Sequence, residues 1–327
     1  MNKYFILRRN CPSCGCNDGI QLCRIAYSNS TLHEYLINFY KFQGGIEFKY
    51  LQDQDYILFE CSVCGLIYQK EIPNDFLMHK LYNIWIDPQK CFDLYEKSRG
   101  IEYFAYLSSE IVDIIKHFDQ PPTDLKFLDF SMGWGHWCQI AQSFGCTVHG
   151  TEYSQSRIDY ARSKGINVIS YSEIANHRYD FINTEQVFEH LPDIRTTVNF
   201  LIKSLKSNGI IKINVPNGWN IKKRLEKWDW TALKGSNDSL NPVAPLEHIN
   251  CFDHHSLIEL ATHSGLVSIA LQKKVESNTR NISKSLKKRL KRIISFPLKH
   301  LDSTRQSLNP LQELTIDKGT YMFFKLP

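Results

Sequence analysis

The run Phe127-Leu128-Asp129-Phe130-Ser131-Met132-Gly133-Trp134-Gly135-His136-Trp137 joins a short apolar strand pattern to an acid, a glycine-containing turn and the start of a helical pattern. At the carboxyl end of a parallel strand, small residues in such a turn let a ligand approach the backbone and the N-terminus of the helix. Roughly twenty residues on, a second apolar run ends at Gly150-Thr151-Glu152, where a carboxylate can accept hydrogen bonds from ribose hydroxyls. Each signal is weak alone. Together they mark a nucleotide-type cofactor site, and a nicotinamide dehydrogenase would satisfy them as well as a transferase until the downstream residues are read.

Those residues continue the same texture. Thr147-Val148-His149-Gly150, Asn167-Val168-Ile169, Phe181-Ile182 and Ile210-Ile211-Lys212-Ile213-Asn214-Val215 alternate with helical patterns, and Thr320-Tyr321-Met322-Phe323-Phe324 reads as a last strand. Such alternation buries best with helices on both faces of one sheet. The expected fold is α/β, a Rossmann-like, doubly wound, mostly parallel sheet.

Tyr179-Asp180-Phe181-Ile182-Asn183-Thr184-Glu185-Gln186-Val187-Phe188-Glu189-His190-Leu191-Pro192-Asp193 resembles the fourth-strand motif of class I S-adenosylmethionine-dependent methyltransferases. Leu205-Lys206-Ser207-Asn208-Gly209-Ile210 resembles their turn into the fifth strand, so the likeness runs in the family's order over roughly residues 125 to 216. The resemblance implies S-adenosylmethionine as methyl donor. It sets Asp129 and the turn through Gly133 and Gly135 near the methionine portion, Glu152 on the ribose, Ser170 or Tyr171 near adenine, and Glu185 beside the transfer centre. Ser131 stands where the family usually has its first glycine. A serine fits there with a negative φ, leaving its hydroxyl to bond the cofactor.

After the fifth strand, Val215-Pro216-Asn217-Gly218 opens a connection containing Trp219, Trp228 and Trp230, which returns at Pro245-Leu246-Glu247-His248-Ile249-Asn250-Cys251-Phe252. In this topology it passes over the reactive end of the cofactor. The Glu-His-Ile-Asn run is similar to a motif of bacterial methyltransferases in sugar and natural-product tailoring; some sugar C-methyltransferases also carry an N-terminal zinc module and use a histidine after strand five as general base. A hydroxyl or enolisable carbon must lose a proton before it accepts a methyl group, and histidine suits that task near neutral pH. His248 is therefore expected as base, Glu247 as its orienting or proton-relaying partner and His190 as a second polar contact. The expected acceptor is a small molecule or saccharide in surface-polysaccharide or natural-product synthesis.

Ten cysteines would suggest disulfides in a secreted chain, but MNKYFILRR has no apolar signal core, so thiols in a reducing cytoplasm are expected. Cys11-Pro-Ser-Cys14 and Cys61-Ser-Val-Cys64 are two CxxC pairs, each followed by glycine, and the stretch Tyr56-Ile57-Leu58-Phe59-Glu60 leads into the second as a strand. Two such knuckles place four thiolates tetrahedrally, which completes the coordination of zinc and leaves no position for a catalytic water. Cys11, Cys14, Cys61 and Cys64 are thus the expected ligands of a structural zinc. The interval between the pairs is long for a ribbon, and Cys16 or Cys23 is an alternative ligand.

The expected organisation is a zinc-ribbon-like module over 1–75, a helical lead-in over 76–124 and a catalytic domain over 125–327 with a basic insertion at about 277–317. The lead-in pattern Tyr103, Leu107, Ile111, Ile114, Ile115, Phe118 is ended by Pro121-Pro122. The net charge of +5, from 39 basic and 34 acidic residues, is small enough for residues 280–300 to supply, since they hold eight Lys or Arg and no acid. That stretch fits a solvated insertion helix or peripheral contact with an anionic membrane surface. An RNA methyltransferase is a second reading, but the module carries no basic run beyond Arg8-Arg9 and Glu185-Gln186-Val187-Phe188 does not resemble an Asn-Pro-Pro-Tyr motif, which argues against nucleic acid. A noncatalytic scaffold is the third.

Overall fold

The computed structural model describes residues 2–97, 99–271 and 319–327. The expected basic insertion, with the stretch 280–300, lies outside the described residues. No helix among the described residues is long and apolar enough to cross a membrane.

The chain begins with β1 (Phe5–Leu7), β2 (Gly19–Ala26), α1 (Ser30–Tyr40), β3 (Asp55–Cys61), β4 (Ile67–Gln69) and β5 (Glu71–Pro73). β1 and β5 form an antiparallel ribbon, and β2, β3 and β4 an antiparallel sheet. The long interval between the CxxC pairs holds α1. Asn29 caps it by accepting from the N–H groups of Thr31 and Leu32, and Leu32, Leu36 and Tyr40, spaced by four, turn inward. The lead-in is α2 (Asp75–Lys80), a wide turn at 81–85, α3 (Pro88–Cys91), a second wide turn at 92–96, and α4 (Ile101–Phe118). α4 ends at Asp119, φ 53°, just before the proline pair.

β6 (Lys126–Asp129), α5 (His136–Ser143), β7 (Thr147–Gly150), α6 (Gln155–Ser163), β8 (Asn167–Val168), β9 (Tyr179–Glu185), α7 (Ile194–Ile202) and β10 (Leu205–Val215) follow. Then come α8 (Ile221–Lys227), β11 (Asn250–Cys251), α9 (His254–His263), β12 (Val267–Ile269) and β13 (Thr320–Lys325). The seven-stranded sheet has the order β12-β13-β10-β9-β6-β7-β8. From β8 to β10 neighbours are parallel, and β13 is antiparallel to both β10 and β12.

Strand alternation divides the core by face. Phe127, Phe181 and Ile210 pack with Leu107 and Ile111 of α4 and Trp137 and Ala141 of α5. Their neighbours Leu128, Ile182 and Ile211 pack on the other face with Val198 and Leu201 of α7 and Leu257 and Leu260 of α9. Cys11, Cys61 and Cys64 belong to that second cluster.

The N-terminal sheet is completed from far along the chain. β11, in the connection after β10, pairs with β4 to give the order β11-β4-β3-β2. Trp230, Leu240, Val243 and Leu246 of the same connection share a core with Tyr27, α1 and Trp85. Residues 1–75 and the connection after the fifth strand are therefore one packing unit, a merger that no local pattern in the chain announces.

Candidate functional site

The carboxyl ends of β6 and β7 meet at the glycine turn. Asp129 is buried; its Oδ1 accepts from Asn183 Nδ2 at 2.8 Å and its Oδ2 from Cys138 Sγ at 3.5 Å. Burial pushes its carboxyl up to about 7 despite those bonds. Gly133 and Gly135 have φ of 57° and 77°; a side chain on Gly135 would collide with Ile166, whereas Gly133 faces open space. Gly135 therefore admits no side chain, and the turn backbone at Gly133 is open.

Ser131 departs from its expected geometry. Its φ is +59°, not negative, because the turn must pass through the left-handed region at this position as well. Two hydrogen bonds hold it there: its N–H donates to Thr151 Oγ1 at 3.1 Å, and its hydroxyl pairs with Tyr171 OH at 2.8 Å.

Glu152 clasps the turn from β7. Its Oε2 accepts from Gly133 N–H at 3.0 Å, and its Oε1 from the N–H groups of Tyr153 and Ser154 at 2.8 and 3.0 Å. Its carboxylate is thereby aimed along the turn. Of the two residues expected near adenine, Tyr171 lies at the turn, its ring stacked on exposed Tyr153 at 4.1 Å. Ser170 instead donates to Glu173 Oε2 at 2.7 Å.

Glu185, at the end of β9, is held by Lys212 Nζ at 2.7 Å and Asn214 Nδ2 at 2.5 Å. Lys212 is fully buried and also pairs with Glu110 of α4. Burial opposes its charge, but the two carboxylates prevail and raise its pKa. Sequence reasoning missed this triad. The available signal was a lysine inside the apolar run Ile210-Ile211-Lys212-Ile213, where an unpaired charge would not survive burial.

The second group of polar residues forms where the short turn Phe188–His190, after β9, meets the connection after β10. His190 and His248, whose rings lie 4.9 Å apart, are brought together with Glu189. His190 Nδ1 is 2.9 Å from both the Glu247 carbonyl and Tyr82 OH. His248 Nδ1 donates to the Asn241 carbonyl. Burial lowers both imidazoles, His190 to about 4 and His248 well below the usual range, so both are neutral at pH 7. The Glu247 carboxyl accepts from Tyr40 OH at 2.7 Å and is raised to about 7 by burial. The group that orients His248 is thus the Asn241 carbonyl rather than the Glu247 side chain.

Tyr40, Tyr82, Glu189 and Asn241 were not singled out here, whereas Asn250 closes the Glu-His-Ile-Asn run. Asn250 ties the pieces together: its Nδ2 donates to the carbonyls of Phe188 and Leu191, and its Oδ1 accepts from Arg8.

The sulfurs of Cys11, Cys14, Cys61 and Cys64 lie within 4.8 Å of one another. Cys11 and Cys64 are 3.6 Å apart and Cys14 and Cys61 3.5 Å, with Gly15 and Gly65 at positive φ closing the two turns. Cys16 bonds its sulfur to the Asp18 backbone and Cys23 lies on β2, so neither is part of the cluster. Four converging thiols with glycine knuckles fit a closed, tetrahedral metal site.

A family model described as "Methyltransferase domain" matches residues 103–271, more than half of the chain. The ubiquinone biosynthesis O-methyltransferase of Bartonella tribocorum is 29% identical over 107 residues, covering 30% of this chain and 43% of that protein. Its counterpart in Bartonella quintana is 24% identical over 155 residues, 42% of this chain and 62% of that protein. The chain spans about half the length of the curated relatives it matches. Among solved structures, a plantazolicin methyltransferase in complex with SAH is 16% identical with a TM-score of 0.45, over 76% of this chain and 93% of that one. The strand order, the glycine turn clasped by Glu152 and the match over 103–271 lead to one conclusion: the chain belongs to the class I S-adenosylmethionine-dependent methyltransferases.

Proposed function

We propose that this chain methylates a small-molecule acceptor, a hydroxylated aromatic or saccharide, at the basin formed by His190 and His248. The sulfonium methyl of S-adenosylmethionine supplies the electrophile. The chain's residues do the rest. Asp129, Gly133 and Gly135 cradle the methionine end, Glu152 holds the ribose, and Tyr171 with Tyr153 lies toward adenine. The observation that carries the acceptor side is the meeting of two imidazoles, the half-buried His190 and the buried His248, from the loops after β9 and β10, each with one nitrogen held by a backbone carbonyl. Loss of the acceptor's proton is assigned to this basin, with His248 required for it. The O-methyltransferase names of the Bartonella relatives favour oxygen as the methylated atom. The four cysteines are assigned a structural zinc.

Isothermal titration tests the donor site: wild type should bind S-adenosylmethionine, and Glu152→Ala should lose most of that affinity. Unchanged binding in the variant would remove Glu152 from the site. On the acceptor side, His248→Ala should keep donor affinity and lower turnover by roughly 10²- to 10⁴-fold. The readout is S-adenosylhomocysteine release over a panel of phenols and hydroxy sugars. Wild-type turnover in that variant would take His248 out of the reaction.

A further inference from the structure

Glu189, His190 and His248 bring three metal-ligating atoms within 4.8 Å of one another. Glu189 Oε1 is 3.6 Å from His190 Nε2. Each imidazole is pinned through Nδ1 by a backbone carbonyl, Glu247 for His190 and Asn241 for His248. A carbonyl only accepts, so in each ring Nδ1 carries the proton and Nε2 keeps its lone pair. Metal-binding histidines are commonly prepared in this way, with the outer nitrogen on a carbonyl and the inner one bare.

We propose that Glu189, His190 and His248 bind a divalent transition-metal cation that takes an oxygen of the acceptor as a further ligand. Two imidazoles and one carboxylate suit Zn²⁺, Fe²⁺, Mn²⁺ or Ni²⁺ better than Mg²⁺ or Ca²⁺, which prefer all-oxygen shells. Bonds of about 2.1 Å allow two ligand atoms to stand up to about 4.2 Å apart, and Glu189 Oε1 and His190 Nε2, at 3.6 Å, meet that limit. Three protein ligands leave coordination positions open, in contrast to the four-cysteine cluster, which closes its own.

This inference rests on the basin being the acceptor site and specifies why His248 is required there. As a ligand, His248 holds the cation. The coordinated acceptor hydroxyl then breaks its O–H bond, the proton leaves to solvent, and the electron pair stays on the metal-bound oxygen.

The test uses the full chain with its four-cysteine cluster filled by zinc, titrated with Co²⁺. A second metal per chain should appear, with d–d absorption but no thiolate-to-cobalt charge transfer. His248→Ala should abolish it, and Glu189→Gln, which keeps the side chain's shape, should weaken it roughly 10-fold or more. Circular dichroism checks the fold of both variants, and the Glu189→Gln result decides if His248→Ala unfolds. Absence of a second cobalt ion in wild type, or a wild-type spectrum and affinity in both variants, overturns the proposal. Turnover on the same samples separates the two readings. If no cobalt binds but His248→Ala still lowers turnover with donor affinity intact, the cation falls and the acceptor site stands. If cobalt binds but neither variant changes turnover, the acceptor role of the basin falls.

Discussion

Ser131 and Lys212 each occupy a position from which local rules would have excluded them. A serine in the left-handed region costs about 1–2 kcal/mol, and its bond to Tyr171 returns about 1 kcal/mol. Ser131→Gly removes both, so its stability should stay within about 1 kcal/mol of wild type. Ser131→Val adds a β-branched side chain at positive φ without the hydroxyl and should be clearly less stable; equal urea midpoints for the two variants would contradict the turn geometry. Lys212 is the opposite case, a charge kept buried because Glu110 and Glu185 face it. Lys212→Met leaves two carboxylates without their cation and should cost about 3–5 kcal/mol in urea unfolding. A loss below about 1 kcal/mol would mean that the triad is not formed.

Among the elements, the lead-in helices have a function that their amphipathic pattern does not convey. The wide turn at 92–96 lies on the cofactor turn: Phe92 packs on Trp134 at 4.6 Å, and Glu96 Oε2 is 3.0 Å from His136 Nε2 at the start of α5. Burial acts to raise the Glu96 carboxyl, but hydrogen bonds from His136 and Arg99 overcome it and bring it down to about 2. Since its folded pKa is depressed from 4.5, the contact's contribution is complete above about 4.5 and is lost as pH falls toward about 2. The fluorescence of Trp134, taken as the difference from Trp134→Phe, should change across that window in wild type. Glu96→Gln should abolish the change; its persistence would point to another group.

At the scale of the whole molecule, the cysteine cluster belongs to the core of the large sheet, and β11 joins the N-terminal sheet to the histidine basin. A ribbon over 1–75 standing by itself would loosen alone when its metal is removed. The shared core changes that expectation. Chelation should raise hydrogen exchange in β2 to β4 and also at residues 249–252, while β6 and β9 stay protected. Protection unchanged at 249–252 would show that the two sheets are independent. The ligand set has its own check: Cys61→Ser should lose the bound zinc, and full occupancy in that variant would mean that other residues hold it.

The features legible in the sequence are those in which cause and effect lie close along the chain. Alternating strand and helix periods, the acid-turn-glycine order after Phe127-Leu128, the carboxylate of Glu152 and the twin CxxCG knuckles each report a local backbone requirement. They were enough for the fold class and for the four cysteines that converge. Lys212 was half legible, since a lysine in an apolar strand demands a partner without naming it. What only the tertiary structure decided are meetings between distant segments. Tyr40 and Glu247 are 207 residues apart and Arg8 and Asn250 are 242 apart, yet both pairs share a hydrogen bond. Nor does any local pattern distinguish His248 bonded to Glu247 from His248 bonded to the Asn241 carbonyl. Side-chain partners of this kind are chosen by which surfaces pack together to exclude water, and that depends on the whole chain at once.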